Sequence, residues 1–381
     1  MIGEEPTLDS PTILLVGDSH SNETLYYKTH FLAGDPFFYI QTAGQEQIVV
    51  SAMEGGRARK ESRVSVVRTF EDFGYQDLMR QLNDRRLAFS ALLMRVIGDL
   101  NGNTVRVDQT FPALYADLLR SEGAIVEVDP NLFIDDRRRK TLDEIQAIEV
   151  AQRATEAAMA RAVDLIASSR ERNQMLFSGD QLLTSELLRS EMEIVLLRHG
   201  METPHAIIAG SGPGVADPHW LGEGPIRPHE SIVIDISPRG RRSRYFADMT
   251  RTVVKGDPGD TLPAMYEATS LALDAALAEI RAGADGRDAH EAVKRIYAKT
   301  GFSGEGEGPR FIHGTGHGVG LAIHEAPIIG TTSTVLCEND VVTVEPGLYD
   351  PALGGVRIED LIVVTAAGYR NLTNFPRELQ V

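Results

Sequence analysis

Four carboxylates and one imidazole stand in order in the second half of the chain: Asp235, Asp248, His317, Glu345 and Glu359. Oxygen-rich ligation with a single imidazole suits two hard divalent ions side by side, and such a pair can activate a water between them. The acids fall at the ends of strand-like runs. Asp235 closes the apolar run 232–234, Asp248 opens a β-rich segment that continues to Val254, and the turn-forming stretch 237–243 lies between them. A second copy follows, in which 341–344 leads into Glu345, a Gly/Pro/Asp-rich turn spans 346–355, and 356–359 ends in Glu359 and leads into 361–364. The pattern predicts two hairpins with a carboxylate on each arm, facing one another around one cage. His317 lies between them in the run His313-Gly314-Thr315-Gly316-His317-Gly318-Val319-Gly320, whose glycines let the backbone pass close to a crowded site. A single acid at a strand end is ordinarily a solvated or turn-capping residue. Four of them beside apolar runs would each cost several kcal/mol if buried without a partner, so a shared cation is the better account.

The residues around these ligands carry a family resemblance. Asp235, Asp248-Met249-Thr250-Arg251-Thr252, His313 to His317, His324-Glu325-Ala326-Pro327, Val344-Glu345-Pro346-Gly347 and Arg357-Ile358-Glu359-Asp360 together resemble the signature of the dinuclear pita-bread metallopeptidases. Within that superfamily the chain is most similar to the Xaa-Pro dipeptidases (prolidases) and Xaa-Pro aminopeptidases (aminopeptidase P). The motifs span residues 219–359, and the general layout agrees over nearly the whole chain. The resemblance implies an α+β chain: a C-terminal pita-bread (creatinase/aminopeptidase-like) catalytic domain at 140–381, preceded by an N-terminal α/β creatinase-like domain at 1–139. It implies that Asp235 chelates one metal, that Asp248 and Glu359 bridge both, and that His317 and Glu345 hold the second. A bridging water would then attack the carbonyl before proline, with Glu345 carrying its proton to the leaving nitrogen.

The same resemblance gives roles to residues that would be weak signals alone. His219 matches a substrate-shaping histidine, His324 one that assists the tetrahedral intermediate, and His313 and Arg357 match positions that orient ligands and charge. Hard donors favour Mn²⁺, with Co²⁺ or Zn²⁺ able to substitute, and the family's usual assembly is a homodimer. The substrate implied is a proline-containing di- or oligopeptide. This chain departs from the pattern in its first hairpin, where Ile236-Ser237 follows Asp235 and the loop is longer than usual. That loop carries Arg239, Arg241, Arg242 and Arg244. A guanidinium at its tip, Arg241 or Arg242, could select short substrates by pairing with a C-terminal carboxylate. Two alternatives of other classes are a metal-free creatinase-like amidinohydrolase and a non-catalytic pita-bread binding protein; the complete ligand set counts against both.

Composition limits the remaining possibilities. At 381 residues the chain exceeds one typical core, so two domains are expected. A formal net charge of −17 disfavours nucleic acid and anionic membrane as partners, because such surfaces call for an excess of Lys and Arg. The single cysteine, Cys337, excludes an internal disulfide and a thiolate zinc cluster. The opening residues 1–6 do not read as a charged-then-apolar leader and no apolar run approaches membrane-spanning length, so a cytoplasmic enzyme is expected. The segment 210–214 superficially suggests a phosphate loop, yet lacks the following Gly-Lys-Ser/Thr and reads as a turn. His324-Glu325 does not continue to a second zinc histidine, and no Gly-x-Ser-x-Gly elbow is present.

The elements that must carry this chemistry are legible from periodicity. Strands are predicted at 12–16, 37–40, 47–51, 64–67, 104–107 and 124–128, with helices at 85–97 and near 112–119, completing an α/β domain without clustered chemistry. The charged run 135–140 then reads as a solvated linker. Thr141-Leu142-Asp143-Glu144 resembles a capping box, opening a helix with apolar positions at Leu142, Ile145, Ile148, Ala151, Ala154, Ala158, Ala162 and Leu165. Further helices are predicted at 185–197, 262–280 and 289–298, the last capped by Asp288. They would flank one antiparallel sheet built from the two acid-bearing hairpins.

Overall fold

The computed structural model describes residues 11–42, 44–98, 104–304 and 308–381; the opening segment 1–6, read above for a leader, lies outside the described residues. The chain divides into two compact units, Met1–Asp135 and Asp136–Val381.

The first unit is built on a six-stranded sheet in the order Val66–Thr69, Gln45–Val50, Phe37–Thr42, Thr12–Gly17, Thr104–Asp108, Ile125–Asp129. Its three central strands pair antiparallel and its outer neighbours parallel. Alternation along each strand sends Leu14, Val16, Phe38, Ile40 and Val49 into one core cluster, and Leu15, Phe37, Tyr39, Ile48 and Val50 into another. Both faces are therefore covered, which is why these strands read as continuous apolar runs. The strand expected at 64–67 begins at Val66. Helix Ala52–Glu61 escaped prediction because it buries only Gly55 and Ala58, leaving no apolar stripe for periodicity to find.

The second unit opens on helix Leu142–Ser168. The Thr141 hydroxyl accepts the Glu144 N–H at 3.3 Å while the Glu144 carboxylate accepts the Thr141 N–H at 2.7 Å, a reciprocal cap that satisfies two otherwise orphan donors. Helices Ser185–Arg198, Thr261–Glu279 and Gly286–Lys299 follow. The last is capped by Asp285, not Asp288: the Asp285 carboxylate accepts the Arg287 N–H at 2.9 Å, which starts the helix before its first apolar residue. The acid-bearing segments form two sheets where one was expected. Ile208–Ser211, Ile232–Ile236 and Met249–Val253 make a three-stranded antiparallel sheet. Glu325–Ile329, Gly316–Gly318, Val341–Val344, Asp360–Thr365 and Gly368–Asn371 make a five-stranded one. The segment leading into Asp360–Thr365 touches the three-stranded sheet where the Glu359 N–H donates to Thr250 O at 3.1 Å and the Arg357 N–H to Thr252 Oγ1 at 2.9 Å, contacts too few for a continuous ladder.

Helices Thr261–Glu279 and Gly286–Lys299 share a core with the five-stranded sheet, in which Met265, Leu273, Ala276 and Val293 pack with Val342, Val344, Ile362 and Val364. The stretch 346–355, expected as a turn, holds a hairpin of its own, Gly347–Asp350 with Gly354–Arg357. Its glycines hid a cross-strand pair, Leu348 opposite Val356, that is fully buried. The charged run expected as a solvated linker is also corrected. Lys140 is 1% exposed and Arg138 pairs with the buried Asp340 at 2.6 Å, so these residues are built into the second unit.

Candidate metal centre

Each candidate ligand sits in or beside a strand whose backbone bonds fix it. Asp235 is in register with Thr250 across the antiparallel pair, and Asp248 immediately precedes Met249–Val253. His317 is the middle residue of Gly316–Gly318, with its N–H donating to Thr343 Oγ1 at 3.0 Å. Glu345 follows Val341–Val344 with its N–H on Thr315 O at 2.8 Å, and Glu359 precedes Asp360–Thr365. The glycines beside His317 are required by close approach. A Cβ on Gly316 would lie 2.0 Å from Thr343 O, and one on Gly318 2.3 Å from Ala326 O.

These elements bring donor atoms of Asp248, His317 and Glu359 within 4.8 Å of one another. His317 Nε2 stands 3.7 Å from Asp248 Oδ2 and 3.4 Å from Glu345 Oε1. His317 Nδ1 lies 3.1 Å from Gly318 O, and because a carbonyl can only accept, Nδ1 is the nitrogen that donates. Burial, the largest influence, keeps this imidazole on the neutral side of its ordinary range. Its Nε2 therefore presents a lone pair to two carboxylates, an arrangement that a cation between them would make favourable. Asp235 joins through Arg357, whose Nη2 donates to Asp235 Oδ2 at 2.6 Å. Arg357 Nε donates to Thr250 Oγ1 at 3.1 Å, and that hydroxyl donates to Glu359 Oε2 at 2.7 Å. Its Nη1 reaches Tyr349 Oη at 2.9 Å, and the same hydroxyl lies 2.8 Å from His313 Nε2.

Burial pushes the Asp248 carboxyl well above its ordinary range, and the charges of Glu359, Asp235 and Glu345 push it further while Arg357 opposes them. Glu359 is raised for the same reasons, burial first and then Glu345 and Asp235. Glu345 is raised by burial, against His313 and Arg357. The donor set fits a divalent cation: four crowded carboxylates face a single fixed cation, Arg357, among the described residues lining their cavity.

That cavity has a volume of about 910 Å³, and all nine candidate residues line it: Asp235, Asp248, His317, Glu345 and Glu359 with His219, His313, His324 and Arg357. The four acids and the imidazole all differ from the two outer histidines in exposure, since His317, Asp248 and Glu359 are buried, Asp235 and Glu345 are partly so, and His219 and His324 are exposed. The His324 ring packs edge-on against His317 with centroids 4.3 Å apart. Pro204, Ile208, Leu221, Ile323 and Ile328 give the cavity an apolar wall.

Several contributors were not read from sequence. Tyr349 lay inside a stretch taken for a turn, and His205 had no motif around it, so neither carried a signal. Thr250 stood within a quoted motif, and only the fold shows that its hydroxyl links Arg357 to Glu359. The arginine-rich loop touches the cavity only at its start, through Ser237, and none of its four arginines is among the described residues of the lining. Arg239 and Arg244 pair with Glu202 at 2.8 and 2.6 Å, because Met201–Glu202 pairs with Arg239–Gly240 and turns the loop back on its own unit.

A model of metallopeptidase family M24 matches residues 146–366. The Xaa-Pro dipeptidase of Pyrococcus furiosus is 34% identical over 244 residues, covering 63% of this chain and 64% of that enzyme, just under two thirds of its length. The Xaa-Pro dipeptidase of Pyrococcus horikoshii is 30% identical over 279 residues, covering 72% of this chain and 74% of its own. Among solved structures, a prolidase from Pyrococcus horikoshii OT3 aligns with a TM-score of 0.78 at 26% identity, over 97% of this chain and 95% of that one.

Proposed function

The chain belongs to metallopeptidase family M24, and from that premise we propose that it hydrolyses the peptide bond between an N-terminal residue and proline. Two divalent ions, manganese foremost with cobalt or zinc able to replace it, would be held by Asp235, Asp248, His317, Glu345 and Glu359. The observation that carries this reading is the convergence of those five side chains, with Asp248 and Glu359 raised first by burial and then by the neighbouring carboxylates, in a cavity where His219 and His324 stand exposed. Bound divalent ions would polarise the scissile carbonyl and lower the pKa of a water toward neutrality.

The protein's own groups then have separable tasks. Glu345 would take the attacking water's proton and deliver it to the proline nitrogen, a shuttle suited to a carboxyl raised by burial. His324, kept neutral by such burial as it has and by the neighbouring His317, would donate an N–H to the oxygen that gains charge. His219 would bound the substrate from the exposed wall, and the apolar residues beside it suit a prolyl ring. Arg357 would hold Asp235 directly and Glu359 through Thr250, while His313 would be fixed by Tyr349. The cytoplasmic location belongs to this proposal as an expectation and the homodimer on the resemblance alone, and its domain limits are 1–139 and 140–381.

Family membership does not favour a metal-free amidinohydrolase or a non-catalytic scaffold. The test is hydrolysis of an Xaa-Pro dipeptide and an Xaa-Pro-Yaa tripeptide by protein supplied with Mn²⁺, with EDTA as the control. Turnover of the dipeptide alone would make it a dipeptidase, and turnover of the tripeptide an aminopeptidase. Failure to cleave either with Mn²⁺ bound would overturn the reading.

A further inference from the structure

His324 is followed directly by Glu325, and the two neighbours have different surroundings. His324 lines the cavity against His317, whereas the Glu325 side chain is 10% exposed and meets two cations from the start of the second unit. Lys140 Nζ lies 2.7 Å from Glu325 Oε1, and Arg137 Nη2 lies 2.8 Å from Oε2. Each carboxylate oxygen thus has its own cation, which fixes the plane of the carboxylate as well as its place. Lys140 is itself 1% exposed and its backbone N–H donates to Asn339 O at 3.2 Å, so the main chain from which the ammonium reaches Glu325 is anchored.

The carboxylate also sits under the turn that carries His324. Glu325 pairs in register with Gly318, one residue from His317, and its Oε2 receives the Ala322 N–H at 3.4 Å. A Cβ on Gly320 would lie 2.4 Å from Glu325 Oε1. Burial by itself would raise the pKa of this acid, but Lys140 and Arg137 outweigh it and the net displacement is downward, so the group is an anion. A buried anion gripped on both oxygens is costly to move, and the turn at 320–325 is fastened with it.

We propose that Lys140 and Arg137, acting through Glu325, are positioning residues that set the His324 imidazole against His317 for the hydrolysis. The inference rests on the functional reading given above, since it assigns His324 a task at the substrate. It gives the charged run 137–140 a purpose beyond joining two units.

The experiment uses the full chain and combines Lys140→Met, Lys140→Arg and Arg138→Met with and without His324→Ala. Arg138 serves as the control because it belongs to the same run but pairs with Asp340 and not with Glu325. With Mn²⁺ supplied, Lys140→Met is expected to lower kcat about tenfold or more with KM within about twofold, and Lys140→Arg to restore most of it. In the His324→Ala background the Lys140 change should cost less than about twofold, because the group it positions is gone. An equal loss in both backgrounds, or an equal kcat loss from Arg138→Met, would overturn the proposal. A second readout needs no turnover. In metal-free protein carrying ¹³C-labelled histidine, the His324 signal, identified by its absence in His324→Ala, should move in Lys140→Met and stay in place in Arg138→Met. A wild-type chain that cleaves no Xaa-Pro peptide would defeat the functional reading, and the histidine signal would then decide the positioning proposal by itself: an unmoved signal in Lys140→Met refutes it.

Discussion

His317 shows how much a single hydrogen bond decides at the residue scale. Because Nδ1 donates to Gly318 O, Nε2 is left as a lone-pair donor aimed between Asp248 and Glu345. Replacing His317 or Glu345 with alanine is therefore expected to abolish turnover while leaving the fold intact; near wild-type Mn²⁺-dependent rates in His317→Ala would refute the assignment. The exposed histidines behave differently. His219→Ala and His324→Ala are each expected to retain bound metal while kcat/KM falls about 10²-fold to 10⁴-fold, the range for a positioned acid, base or hydrogen-bond donor. Metal analysis beside the kinetics checks this, and loss of metal from either variant would mean that the histidine is a ligand.

At the scale of the element, backbone spacing is what allows the His317 strand to lie so close to its neighbours. Gly316→Ala would press a methyl group onto Thr343 O, a backbone atom that can yield only by opening the strand pair. A loss of about 1–3 kcal/mol, together with weakened metal binding, is expected by thermal denaturation and calorimetry. Gly368→Ala, which meets nothing within 4 Å, is the comparison and should be close to neutral. The turn fastened by Glu325 has a pH signature. Its folded pKa is depressed, so the stability it contributes is present above the unfolded value of about 4.3 and is lost as pH falls through the folded value. Glu325→Gln should accordingly lower Tm at pH 7, by about 3 kcal/mol of stability, and the gap to wild type should narrow at acidic pH below about 4. A gap that is the same at pH 7 and at pH 3.5 would contradict this.

For the whole molecule, the crowding of acids links stability to metal. Four carboxylates that repel one another around Arg357 are a liability that a bound divalent ion removes. Mn²⁺ at about 100 times its Kd is expected to add about 2.7 kcal/mol to the stability of the unit that holds the cavity. A calorimetric scan should show that transition rise with Mn²⁺ and return with EDTA, and in His317→Ala the rise should be much smaller. No shift on adding Mn²⁺ to the metal-free wild type would mean that the cavity binds no such ion. The net charge of −17 sets the background, because a chain this acidic gains from any cation it binds at a specific place. Among the described residues no helix is long and apolar enough to cross a membrane.

The sequence by itself determined the five candidate ligands and the strands that carry them, because carboxylates next to buried apolar runs need a partner and leave a local, countable pattern. Asp235, Asp248, His317, Glu345 and Glu359 were legible from type and spacing, and the nine candidate residues share one cavity. It also carried the capping box at Thr141 and the apolar strand runs of the first unit, since caps and short apolar runs are properties of neighbours in the chain. Tertiary structure alone decided what depends on distant partners. Tyr349 and Thr250 became part of the site through hydrogen bonds to Arg357, eight and 107 residues away. The linker reading of the charged run 135–140 failed at Arg137, Arg138 and Lys140, and the ion pairs of Arg239 and Arg244 went unread, for the same reason: a cation's role is fixed by the anion it meets, and Glu325, Asp340 and Glu202 lie elsewhere in the sequence. Local composition cannot tell an exposed charge from one whose partner arrives only with folding.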